Sequence, residues 1–136
     1  QQLDAAGKRS ALEVIYRRFL EHNRPFLSLC TDWQVRMIDD VQVPNDHGDA
    51  EYDTTVIDRL ADTNKVMQHI CADLGALFDR FGDYGPNFAE ALAKVQSGEI
   101  EWFTKPMIES YHTIWFELHE DLLASLGLDR AKEVHA

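Results

Sequence analysis

Two histidines of this 136-residue chain, His112 and His119, recur seven residues apart, and Glu109 precedes His112 by three. On a helix such intervals put two imidazoles on one side and a carboxylate beside the first of them. Glu-x-x-His steps hold the metals of carboxylate-bridged di-iron bundles, which also need a second such step and two further Glu residues. The chain repeats the step nowhere else. A single step therefore predicts a solvated Glu109, with His112 and His119 as hydrogen-bonded residues at the core border. If iron or haem is bound, His112 and His119 are the cofactor ligands to expect and Glu109 the accompanying metal ligand. His22, His47 and His69 also lie near acids, but their spacing matches no hemerythrin-like set, and no globin framework can be placed.

A second concentration of chemistry is acidic. Asp39, Asp40, Asp46, Asp49, Glu51 and Asp53 follow one another without an intervening base. Calcium favours clustered oxygens, but Asn45 and His47 stand where an EF-hand wants carboxylates before its glycine. The segment reads as a solvated loop whose Asp46, Asp49 and Glu51 can draw a basic protein partner by long-range attraction that salt weakens.

Nucleophilic chemistry has no foothold. There is no Gly-x-Ser-x-Gly elbow and no phosphate-cradling glycine loop, so the reading leans away from an enzyme. Cys30 and Cys71 form no C-x-x-C pair and are expected as buried free thiols, which fits a reduced, cytoplasmic setting. The balance of 24 acids against 13 bases gives a net charge of −11 and argues against nucleic acid or an anionic membrane as partner. No apolar run approaches a membrane span. The opening Gln1-Gln2-Leu3-Asp4 lacks an initiator Met and a signal pattern, and reads as the start of an excised piece.

The elements that position these groups read as helices throughout, with no strand expected. Leu12, Ile15, Tyr16, Phe19 and Leu20 predict a first helix ending at His22, where Asn23-Arg24-Pro25 punctuates the chain. A second helix is expected from Pro25, with Phe26, Cys30, Trp33, Met37 and Val41 on its apolar stripe. The short connection makes the pair either an antiparallel hairpin or one sharply kinked rod. Residues 43–53 form the acidic loop. Val56, Leu60, Thr63, Met67, Ile70, Leu74, Leu77 and Phe81 then predict a long third helix, capped by Asp53 or Thr54. Within it Gly75 suggests a close helix approach. A short helix follows from Pro86 to Ser97-Gly98. The last begins near Glu99, Glu101 or Pro106 and runs to Leu126, before a frayed tail over 128–136.

The fold expected is an all-α bundle of four long helices and one short one, a single helical domain over 1–136. Its apolar stripes are either buried internally or shared with a second copy. The leading functional reading is a non-catalytic regulatory or sensor-type signalling domain working through protein contacts, as a homodimer or with a protein partner. A histidine-ligated haem or non-haem iron protein is the alternative. An acidic inhibitor or immunity-type protein is the third.

Overall fold

A computed structural model of the chain describes residues 5–127. Four helices make the body: α1 (Ala5–Gln34), α2 (Ala50–Leu77), α3 (Tyr84–Gln96) and α4 (Tyr111–Leu126). Each packs on two others, α1 on α2 and α4, and α3 on α2 and α4, so the four close around one core. The helical bundle read from the sequence is the fold, with one addition. Two short antiparallel strands, β1 (Val35–Ile38) and β2 (Val41–Pro44), project between α1 and α2. The expected tail at 128–136 lies outside the described residues.

The first two expected helices are one. α1 continues through Pro25 for 30 residues. An interior proline removes one backbone hydrogen bond and crowds the carbonyl four residues earlier. Here both Glu21 and Pro25 face solvent, where water can take up the freed carbonyl. The buried stripe also keeps phase across the proline: Leu12, Ile15, Tyr16 and Phe19 on one side, Phe26, Leu29, Cys30 and Trp33 on the other. Phe19 and Phe26 are seven residues apart, which is two turns.

The stripe ends at Trp33. Met37 and Val41, expected on the same helical face, lie instead in the strands and are 68% and 59% exposed. Ile38 pairs with Val41, so Asp39 and Asp40 alone form the turn, both with positive φ (51° and 64°). Aspartate tolerates that region better than most residues, and two left-handed residues suit the twist of a tight hairpin.

β2 takes Val43 and Pro44 from the expected loop, and α2 starts before Asp53. Asp49, not Asp53 or Thr54, is its cap, accepting hydrogen bonds from the Glu51 and Tyr52 amides. The α2 stripe is buried as expected through Val56, Leu60, Met67, Ile70 and Leu74. Gly75 does not mark a tight approach, since a Cβ there would meet only Gly82 Cα at 3.7 Å. The close approach falls at Gly85, where a Cβ would sit 3.2 Å from Gln68 Oε1 and 3.4 Å from Cys71 Cβ.

The last helix begins later than expected. Residues 99–110 turn through a short 3-10 segment (Ile100–Trp102), and Met107 stands 96% exposed with φ 72°. Ser110 then caps α4 by accepting from the Thr113 amide, and left-handed Gly127 closes it. Half of α4 is buried, against α1 and α3. Trp115 stacks on Phe26 with centroids 4.0 Å apart, and its indole N–H donates to Asn23 Oδ1 at 2.9 Å. The Tyr111 hydroxyl donates to Asn64 Oδ1 at 2.9 Å. These two large buried rings thus keep their polar ends satisfied.

Candidate functional site

α4 does not bring the expected ligands to one point. His119 is buried beside the rings of Phe19 and Tyr16. His112 lies flat on Phe26, 6.1 Å away and inclined by 20°. Burial pushes its imidazole below the ordinary value. Seven residues of helix separate the two rings by about 10 Å along the axis, far beyond the reach of one ion with ligands at about 2 Å. Glu109 precedes the Ser110 cap and is exposed, so the Glu109–His112 step is not a helical face. Its carboxyl instead meets that of Glu117, whose pKa is raised by burial and then by the hydrogen bond and charge of Glu109. Among the described residues no group of three or more His, Cys, Asp or Glu is placed to hold a metal ion.

Cys30 and Cys71 are free and buried, and burial pushes both thiols up to about 12. Neither supplies a thiolate nucleophile near neutral pH.

The acidic segment is an organised arm. Asn45, the most deeply buried residue of the loop, ties it to the bundle. Its amide nitrogen donates to the Trp33 carbonyl at 2.8 Å and to Asp53 Oδ1 at 3.0 Å, while its oxygen accepts from the His47 amide. His47 closes the knot: Nδ1 lies 2.9 Å from Asp53 Oδ2, and the ring rests on Trp33 at 4.5 Å. Trp33 in turn stacks on Phe103. His47 and Asp53 therefore serve as pins. A His–Asp pair can act as a base, but this one is spent on Asn45 and Trp33 rather than on a reacting group.

A second set of contacts fixes the hairpin. The Tyr52 hydroxyl donates to the Asp32 carbonyl at the end of α1. The Arg36 guanidinium covers the Tyr52 ring at 4.2 Å and pairs with Asp49 at 3.2 Å. Arg59 pairs with Asp32 at 2.8 Å. Asp49 is held below the usual carboxylate range, first by the Tyr52 amide, with the charge of Arg36 and the Glu51 amide adding to it. Of the three acids expected to meet a partner, Asp49 is thus committed to the cap, while Asp46 and Glu51 face solvent. Asp46 also accepts from the Gly48 amide at 2.8 Å, within its own turn.

Between the hairpin and the start of α2 opens a cleft of about 480 Å³, with Val35, Arg36, Met37, Gln42, Tyr52 and Arg59 on its walls. The sequence reading missed this surface. Its signal was Val-Arg-Met-Ile and Val-Gln-Val-Pro flanking a two-residue Asp-Asp turn, four residues a side and too short to show alternation.

Compared with known proteins, the chain matches no family model, no curated protein and no solved structure.

Proposed function

We propose that this chain is a non-catalytic regulatory domain that works by docking a basic protein partner on the arm formed by residues 35–53. One observation carries the reading. Asp39, Asp40, Asp46 and Glu51 all face solvent on a segment pinned to the core, and among the described residues none of them is in an ion pair. Charges held in place on a rigid base raise the encounter rate with a partner of opposite sign and fix its orientation. The buried stripes of α2 and α4 face the core, which favours the arm over those faces as the docking surface. The iron and haem reading has less support, because His112 and His119 face different neighbours.

The test is affinity capture from extracts of the source cells at low salt, with a column of the Asp39→Asn, Asp40→Asn, Asp46→Asn, Glu51→Gln variant run beside the parent. The reading expects at least one protein that the parent retains, that salt elutes and that the variant releases. Identical retention by both columns overturns it. So does stoichiometric iron or a haem absorption band in the purified chain.

A further inference from the structure

Among the described residues seven large apolar side chains are exposed, and three of them, Met37, Ile38 and Val41, lie at the end of the hairpin, Met37 on one face and the Ile38–Val41 pair on the other. Met37 also forms a wall of the cleft, where Val35 adds apolar surface beside Tyr52 and the Arg36 guanidinium that covers its ring. Thr31 reaches the same cleft from α1, and exposed Leu27 lies one turn before it. Exposed apolar surface gathered in one region marks an interaction site more often than scattered residues do.

The charges around this track are unequal. Arg36 with Asp49 and Arg59 with Asp32 are neutralised pairs on the cleft wall. Among the described residues Asp39 and Asp40 have no ion-pair partner at the hairpin tip, nor have Asp46 and Glu51 near its base. A second copy would bring the same four carboxylates and a net charge of −11 against this margin, so like charges would meet. A segment with cations flanking apolar side chains complements both the track and its rim.

We infer that the hairpin and its cleft seat a basic amphipathic segment of another protein. Its apolar side chains lie against Val35, Met37 and Tyr52, and its Lys or Arg residues turn toward Asp39 and Asp40. The inference rests on the docking reading above and adds an apolar component to it. Most of the affinity then comes from the buried apolar anchors, while the rim charges set rate and salt dependence.

The experiment is an NMR titration of the isotope-labelled chain with three synthetic peptides: an amphipathic Leu–Lys helix former, a Ser–Lys peptide of equal charge and a Leu–Glu counterpart. The Leu–Lys peptide is expected to shift the signals of Val35, Met37, Ile38, Val41 and Tyr52, and to bind at least about tenfold more tightly than the Ser–Lys peptide. Met37→Ser with Val41→Ser, both at exposed positions, is expected to erase that gap without unfolding the chain. Equal binding of the Leu–Lys and Ser–Lys peptides overturns the apolar component and leaves acidic docking standing. Failure of both Lys peptides to bind at low salt removes the two readings together. Leu–Glu binding as tight as Leu–Lys overturns the charge assignment. Concentration-dependent dimerisation abolished by the same double variant makes a second copy the occupant and overturns the inference.

Discussion

The last helix and the hairpin arm treat their side chains in opposite ways. α4 holds the groups with the most chemical promise, and packing absorbs them: His119 lies among core rings, His112 against Phe26, and Trp115 donates to Asn23. The arm is built from common strand and turn residues, yet it presents apolar and acidic groups to solvent. A histidine on an apolar helix face is therefore not by itself a ligand, and a run of acids is not by itself a loose loop. What separates the two cases is where the surrounding apolar residues can go. Around α4 they meet α1 and α3, whereas past Trp33 the chain leaves the bundle and Met37 is left largely exposed.

That contrast breaks most readily at Trp115. Trp115→Ala removes the ring that stacks on Phe26 and leaves Asn23 without its donor, and is expected to lower unfolding free energy by about 3–5 kcal/mol in urea titration. A loss below about 1 kcal/mol would mean that α4 is not the packed side. On the arm, Asn45→Ala strands the Trp33 carbonyl, and a loss of about 1–3 kcal/mol is expected by the same measurement. Comparable stability in parent and variant would show that the arm is not pinned. Gly75→Ala sharpens the comparison from the other direction. The methyl finds ordinary contact distance, so a gain of up to about 1 kcal/mol is expected from helix propensity.

His112 gives a smaller, pH-dependent effect. Burial lowers its folded value below the ordinary 6.5, so the unfolded chain binds the proton more readily. Its share of stability is complete above pH 6.5 and is lost as pH falls through the depressed folded value. His112→Gln is expected to flatten the stability profile in that window, and an unchanged slope would place the ring in water. Least of all, Met37→Ser with Val41→Ser is expected to leave stability within about 0.5 kcal/mol, measured by thermal melting, because neither side chain is buried.

Periodic segments were legible from residues alone. The α2 stripe from Val56 to Leu74 and the second half of α4 lie where their spacing puts them, because each buried face repeats over several turns. Pro25 left a hairpin and one kinked rod open, because a local preference competes with a stripe that stays in phase over the whole of α1, and the stripe decides for one helix. The hairpin was hidden by its length. The start of α4 was hidden for another reason: Met107 and Ile108 continue the apolar spacing, but Ser110 claims the Thr113 amide and fixes the helix start after them. At the candidate site the acids were visible as a composition. Asn45 and Tyr52, which give the arm its shape, act through contacts with residues 12 to 20 positions away that no local pattern records.

One feature of α1 bears on how the arm is held. The helix extends about 45 Å at 1.5 Å per residue and passes into β1 at the next residue, with no connecting loop. The hairpin is thus a direct extension of the longest helix in the bundle. That same helix carries Trp33 against Phe103 and, further back, Phe26 and Phe19 against Trp115, so the base of the hairpin is anchored in the core without any intervening loop.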